Sequence, residues 1–296
     1  MKINLEKIKN EKPIKELLEF SIINIDKPTG PTSFDTDTVI KDLIGANKTS
    51  HFGTLDPMVT GVLPVALNRA CRLMNYFIGH KKEYTGIMHI HEDISADKLK
   101  EQMNNFLGKI TQLPPVKSRV KRQEREREIY SFEILEKHDK DILFKTEVEA
   151  GTYIRKLIHD LGEKINGAHM TELRRTKASI FQEKDSITIF QLKEAVEEYK
   201  KGNEKPIREI LIPGEIISQI LQVVQIKKEY SEVLYHGSHL FKEHLIENYN
   251  FKPEEKIAVF SDQKFIGVFK TIKNPKVIGL PEFVLQPIKS NNKIYK

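Results

Sequence analysis

His51-Phe52-Gly53-Thr54-Leu55-Asp56-Pro57, followed by Met58-Val59-Thr60 and the apolar run from Gly61 to Leu67, joins a loop to a buried strand. Gly53-Thr54 reads as a turn. Pro57 biases Asp56 toward extended backbone, because the pyrrolidine ring crowds the residue before it. A carboxylate on so constrained a loop, at the edge of an apolar strand, is a candidate catalytic group. Most loop aspartates only stabilise a turn or cap a helix, and spacing alone leaves that reading open.

Upstream, Ser21 to Ile25 predicts a short strand, and Lys27-Pro28-Thr29-Gly30-Pro31-Thr32-Ser33 a loop, since two prolines and a glycine deny it regular structure. A helix follows, with Val39, Ile40, Leu43 and Ile44 on one face and Gly45 as its C-cap. Residues 1–20 form an extension whose only pattern is Ile14, Leu17 and Leu18 at helical spacing. Downstream, Tyr84 to Ile90 alternates like a strand and Ala96 to Leu107 reads as a helix. Beyond Pro114-Pro115, the residues Lys117, Arg119, Lys121, Gln123, Arg125 and Arg127 recur at a period of two, which predicts one basic face of a strand. Ile142 to Ala150 is strand-like, and Ile154, Leu157, Ile158, Leu161 and Ile165 predict a helix. Lys200 to Lys205 reads as a linker. Past Leu221, short apolar runs at 223–226, 257–260, 265–269, 277–278 and 283–285 predict a small β-rich domain.

The chain's 296 residues leave room for about two domains. Lysines and arginines number 48 against 42 acidic residues, a net charge of +6. Residues 222–296 hold 12 Lys and 8 Asp+Glu, so +4 of that charge sits in the last quarter of the chain. A basic C-terminal unit fits a polyanion partner, as do merely solvated lysines. No run approaches the length of a membrane span, and the charged start is no signal peptide, so a cytoplasmic protein is expected. Cys71, the single cysteine, excludes an intrachain disulfide and a multi-cysteine zinc site, and is expected to be a small core residue. His89, His91, His159 and His169 show no metal-ligand spacing, and no glycine-rich nucleotide loop or nucleophile elbow occurs. No metal and no cofactor are expected.

Two further residues are candidates on chemical grounds. Arg155, at the start of its helix, could orient a carboxylate through paired hydrogen bonds, or could be a solvated helical arginine. Tyr84, after Lys81-Lys82-Glu83, could stack on a nucleobase or simply pack in the core. The basic stripe from Lys117 to Arg127 repels itself unless a polyanion neutralises it, although Glu124, Glu126 and Glu128 offset this in part.

Taken together the segments resemble the TruB/dyskerin family of pseudouridine synthases. The resemblance rests on Lys27-Pro28-x-Gly30-Pro31-Thr32-Ser33, on His51-x-Gly53-Thr54-Leu55-Asp56-Pro57-x-x-Thr60-Gly61-Val62-Leu63-Pro64, on Lys82-Glu83-Tyr84, on Gly151-Thr152-Tyr153-Ile154-Arg155 and on Leu173-Arg174-Arg175-Thr176. The segments Tyr235-His236-Gly237-Ser238-His239-Leu240 and Lys264-Phe265-Ile266-Gly267-Val268 are similar to a PUA RNA-binding domain. Leu113 to Arg122, Glu149 to Tyr153 and Gly167 to Met170 look like the archaeal and eukaryotic guide-RNA (H/ACA) branch. Thr29, Phe52 and Met58 depart from the commoner residues.

The resemblance implies an α+β fold, with a central mixed, mostly antiparallel sheet flanked by helices and a small β-rich PUA domain. It places the N-terminal extension at 1–20, the catalytic domain at 21–215 and the PUA domain at 221–296. Asp56 matches the catalytic aspartate, Arg155 the arginine paired with it, and Tyr84 the tyrosine that stacks on the flipped base. Leu173, Tyr153 and His51 match the substrate pocket. RNA contacts are expected from Lys27, Lys117, Arg119, Lys121, Arg122, Arg125, Arg174, Arg175 and Gly237. Implied partners are an H/ACA guide RNA, substrate rRNA or tRNA, a small zinc-ribbon-like protein, a Gly/Arg-type accessory protein and a kink-turn-binding ribosomal-type protein. A stand-alone synthase acting on the tRNA T-loop, a non-catalytic RNA scaffold, and a hydrolase using Asp56 with a second carboxylate are the alternatives.

Overall fold

A computed structural model of the chain describes residues 2–114 and 121–287. In chain order, helices α1 (Leu5–Glu11) and α2 (Ile14–Glu19) precede β1 (Ser21–Lys27), α3 (Ser33–Ile44), β2 (Thr49–His51), β3 (Thr60–Leu67), α4 (Met74–Phe77), β4 (Lys82–Ile90), α5 (Ala96–Asn104) and β5 (Gly108–Gln112). Then come β6 (Arg125–His138), β7 (Asp141–Val148), α6 (Ile154–Gly162), β8 (Ala168–Ala178), β9 (Phe181–Gln182), α7 (Ile189–Lys200), α8 (Lys205–Ile210) and β10 (Ile212–Pro213). The last part holds β11 (Gln222–Gln225), α9 (Ser231–Tyr235), β12 (Leu240–Phe241), β13 (Lys256–Ser261), β14 (Lys264–Thr271) and β15 (Val277–Val284).

The fold is α+β. One sheet runs β10-β1-β3-β8-β4-β7-β6-β5, with β2 on β3 and β9 on β8; the other runs β11-β13-β14-β15-β12. Pairing within them is antiparallel except for β3 with β8 and β11 with β13. The alternation read in Tyr84 to Ile90 is that of β4, whose even-numbered residues face the core. The apolar run after Asp56 becomes β3, buried along nearly its whole length between β1 and β8. A large core of Ile23, Ile25, Leu63, Val65, Met88, Phe144, Leu157 and Leu161 lies between the first sheet and its helices. A second cluster takes Ile3 and Ile8 from the N-terminal arm, Phe52 and Phe77 from the first sheet's side, and Phe260 and Phe265 from the second sheet.

Several expectations are corrected. The extension holds more than the pattern at Ile14, Leu17 and Leu18: those residues lie on α2, which packs into the large core, while α1 packs into the shared cluster. Val39 is exposed, and α3 instead buries Thr36 and Asp37 beside Ile40, because Asp37 holds a histidine of β2. Ile165 is buried beyond the end of α6 rather than on it. Lys200 to Lys205 is no domain linker; it is the turn between α7 and α8, which pack on each other. The runs at 277–278 and 283–285 belong to one bent strand, β15, apart from Leu285. The basic stripe is a strand only from Arg125, since 121–124 is irregular; Lys117 and Arg119 lie outside the described residues.

Candidate active site

Two loops, 28–32 after β1 and 52–59 before β3, are braced against each other. The Ser33 hydroxyl receives the Leu55 amide at 2.8 Å and donates to the Leu55 carbonyl at 3.0 Å. The Gly30 amide donates to the Pro57 carbonyl at 2.9 Å. Beneath both loops, the fully buried Lys27 ammonium donates to the carbonyls of Pro28, Pro57 and Val59 at 2.8, 3.1 and 3.0 Å. Burial holds its pKa below that of an ordinary lysine, and the nearby Asp56 charge partly opposes the shift. Three carbonyls leave that ammonium no free donor. Lys27, expected to touch RNA, instead fixes the backbone on either side of Asp56.

Asp56 stands on this platform with more than half of its side chain in solvent, and Arg155 meets it from the first turn of α6 with Nη2 at 2.5 Å from Oδ2. The Met58 sulfur lies 3.6 Å from the same Nη2. Arg155 is aimed by the way α6 begins. The Gln112 side chain receives the Tyr153 amide at 2.9 Å and donates to the Tyr153 carbonyl at 3.2 Å, so β5 holds the entry to the helix. Nothing in the local sequence signals Gln112, which lies 41 residues away.

Arg175 connects the remaining members of the set. It is fully buried on β8, and its guanidinium donates to the Val62 carbonyl at 2.8 Å and to the Gly53 carbonyl at 2.9 Å. Its cross-strand partner is Tyr84, whose side chain lies close to the guanidinium. Two residues further along, Leu173 pairs with Gly86, where any side chain would strike Phe144 and Leu173. Tyr84 and Leu173 are both more than nine-tenths buried. Arg174 points to the opposite face of β8, where it grips the Asp26 carboxylate through two bonds of 2.9 Å and also pairs with Glu183. The RNA contact expected of Arg175 is thus corrected, because its guanidinium is fully buried on protein acceptors, whereas Arg174, though engaged by two carboxylates, stays partly exposed.

His51 is committed as well, with Nδ1 at 2.7 Å from Asp37 and Nε2 at 3.0 Å from the Thr54 hydroxyl. Phe52, which departs from the commoner residue, is buried and stacks on Phe77 at 5.0 Å. Lys82 precedes Tyr84 by two residues, donates to the carbonyls of Ile78 and His80, and is pushed down to about 8 by burial and the nearby Arg175 charge. Among the other expected RNA contacts, Lys121 and Arg122 are exposed, Arg125 is partly buried, and Gly237 occupies a left-handed turn after α9. Cys71 is partly buried and its thiol is raised to about 11 by burial, an inert group.

Known proteins share this chain's sequence pattern and fold. The family profile described as "TruB family pseudouridylate synthase (N terminal domain)" matches residues 41–98 and 87–154, and the tRNA pseudouridylate synthase B C-terminal domain matches 155–218. The chain belongs to the TruB family of pseudouridine synthases. A probable tRNA pseudouridine synthase B of Methanopyrus kandleri is 39% identical over 254 residues, spanning 85% of this chain and 75% of that one. Its counterpart in Pyrococcus furiosus is 42% identical over 235 residues, 78% of this chain and 68% of that one. The fold aligns with a Cbf5-Nop10-Gar1 crystal structure at a TM-score of 0.87 and 36% identity, over 94% of this chain and 89% of that one. An H/ACA ribonucleoprotein bound to a substrate RNA containing 2′-deoxyuridine aligns at 0.86 and 34%, over 94% and 89%. As a TruB-type pseudouridine synthase, the chain is an isomerase that acts on uridine in RNA. No helix among the described residues is long and apolar enough to cross a membrane.

Proposed function

We propose that this pseudouridine synthase is the catalytic subunit of an H/ACA guide-RNA ribonucleoprotein, modifying rRNA and tRNA uridines that a guide RNA selects by pairing. The observation that carries the reading is the alignment with the Cbf5-Nop10-Gar1 complex over 94% of the chain, the second sheet included. Residues 221–296 would be the PUA unit that anchors the guide, with Gly237 at its surface turn. Lys121, Arg122 and Arg125 would contact RNA phosphates, which position a duplex without reading its sequence. The protein partners would be a small zinc-ribbon-like subunit, a Gly/Arg-type subunit and a kink-turn-binding subunit, all in the cytoplasm.

The chemistry follows from the set. The target uridine must leave its stack, at a cost of a few kcal/mol. The N1–C1′ bond then breaks and a C5–C1′ bond forms, the C5 proton leaves and N1 gains one, so the base is isomerised with nothing added. Asp56 would act at the sugar, either as a nucleophile or by accepting a proton. Arg155 orients it through the hydrogen bond already present. Tyr84 and Leu173 would wall the pocket that keeps the detached uracil in place, with Tyr153 beside them and His51 shaping the loop that carries Asp56.

Pseudouridine formation in an RNA paired with an H/ACA guide, with and without the three partner proteins, tests the assignment against a naked tRNA T-loop. Guide-dependent product that vanishes with Asp56→Ala is the expected result. The names of the relatives, tRNA pseudouridine synthase B, favour a second reading as a stand-alone T-loop enzyme. Product on naked tRNA alone would select that reading.

A further inference from the structure

The inward stripe of α3 is Ser33, Thr36, Asp37 and Ile40, at the spacing of a buried helix face, yet three of these four residues are polar. Thr36 is satisfied within its own helix, its hydroxyl donating to the Thr32 carbonyl at 3.0 Å. Ser33 and Asp37, one turn apart, instead face the segment that leads to Asp56. Ser33 holds both backbone groups of Leu55, and the Thr49 hydroxyl donates to the Asp37 carbonyl at 3.1 Å. The Asp37 carboxylate, 10% exposed, holds Nδ1 of His51 at 2.7 Å. Nε2 of the same ring lies 3.0 Å from the Thr54 hydroxyl. We propose that Asp37 is a positioning residue for the isomerisation, acting through His51 and Thr54 on the loop that carries Asp56. That role presupposes Asp56 as the group that acts at the sugar.

A buried carboxylate is unfavourable unless a partner offsets it. Oδ1 of Asp37 has no hydrogen-bond partner among the described residues, so His51 is the group that offsets this one. An ionised carboxylate only accepts, so Nδ1 of His51 carries a hydrogen whatever the charge of the ring. The imidazole is thereby fixed in orientation, with Nε2 aimed at Thr54. A hydroxyl can donate to that nitrogen or accept from it, so the contact survives either charge. Burial then alternates along the loop: Thr54 and Asp56 are exposed, and Leu55 between them is buried. Thr54 and Asp56 therefore leave the loop on the same side, while Ser33 grips the residue between them. Downstream of Asp56, Lys27 fixes the Pro57 and Val59 carbonyls. The chain of contacts from Asp37 supplies the matching restraint upstream. Asp56 is held from both sides while its own carboxylate stays open.

A contact that merely docks α3 on β2 would look the same at rest. The two roles differ in what an amide does at position 37. Asparagine keeps the shape of aspartate, but its side chain offers Nδ1 a donor as well as an acceptor, so the ring is no longer held to one tautomer.

The test compares wild type, Asp37→Asn, Thr54→Val and the double variant, with Asp56→Asn alongside, on whichever of the guide-paired RNA and the naked T-loop wild type modifies. The readouts are kcat and KM for pseudouridine formation and the NMR signals of the His51 ring nitrogens. Asp37→Asn is expected to lower kcat about tenfold or more, with KM for RNA within about twofold of wild type, because loop geometry rather than RNA binding is lost. The signal of the Nδ1-bound proton should leave its wild-type position in the same variant. Thr54→Val, at an exposed position, should lower kcat by a similar factor, and the double variant no further, since both substitutions break one chain of contacts. Wild-type kcat in Asp37→Asn, a raised KM at unchanged kcat, an unmoved His51 signal, or losses that add in the double variant would overturn the proposal. If Asp37→Asn does not fold, wild-type kcat in Thr54→Val overturns it. Full activity in Asp56→Asn would instead overturn the reading of the loop itself.

Discussion

At the scale of single residues, the site separates groups that act from groups that place them. Asp56 and Arg155 are both more than half exposed, so their ion pair contributes under about 1 kcal/mol to stability. Asp56→Asn is therefore expected to abolish tritium release from 5-tritiated uridine in target RNA. Arg155→Met should lower it about a hundredfold by letting the carboxylate wander. Each variant should unfold in urea within about 1 kcal/mol of wild type, and a larger loss would make the pair structural. Lys82 lies at the other extreme, buried and lowered to about 8 from 10.5. Between those two values the unfolded chain binds a proton that the folded chain lacks, so this lysine makes stability rise with pH. Its penalty is complete below pH 8 and gone above 10.5. The stability of wild type minus that of Lys82→Met should therefore climb across this window, by up to about 3 kcal/mol. A flat difference would mean that its carbonyl partners, Ile78 and His80, keep the ammonium charged.

At the scale of elements, the site depends on a short parallel contact between β3 and β8, where Gly61 lies opposite Arg175. A Cβ at Gly61 would come 2.2 Å from the Arg175 carbonyl, and φ there is +98°. Gly30 has a similar φ of +108° with nothing within 4 Å of its Cβ position. Gly30→Ala should cost about 1–2 kcal/mol, from backbone strain alone. Gly61→Ala adds a clash with backbone that cannot yield and should cost about 3–5 kcal/mol, with loss of activity as Arg175 is displaced from Gly53 and Val62. Equal costs measured by urea unfolding would show that β8 can retreat. The same contact marks how far the sequence could be read. Asp56, Arg155 and Tyr84 stood out because each lies in a short motif that Gly, Pro or strand alternation brackets. Arg175 and Lys27 also stood in motifs, but a basic residue reads as a surface residue until its acceptors are known, and those acceptors are backbone carbonyls of loops distant in sequence. β8 went unread because seven of its residues are charged or polar, and its burial comes from neighbours on both sides rather than from its own pattern.

At the scale of the whole molecule, the two sheets share a core that the N-terminal arm closes. Ile3 and Ile8 enter the cluster holding Phe260 and Phe265, and the Asn4 amide donates to the Gln263 side chain at 2.7 Å. The arm is also tied by charge. Lys12 pairs with Glu215 at 2.6 Å, and the Glu215 side chain is only 3% exposed, with no hydrogen-bond partner at Oε2. Glu215 lies between α8 and β11, where the chain passes from one sheet to the other. Removing one partner of a buried pair is far costlier than removing both, because the survivor stays desolvated without a counter-charge. Lys12→Met is thus expected to destabilise the protein by about 3–5 kcal/mol, and Lys12→Met with Glu215→Gln by less than half as much. The two substitutions should be strongly non-additive in a double-mutant cycle followed by urea unfolding. A double variant as unstable as the sum of the singles would show that the arm holds by its apolar contacts alone. In that case Ile8→Ala, which leaves the ion pair intact, should loosen the arm more than Lys12→Met does, and limited proteolysis near Leu5–Glu11 would rank the two.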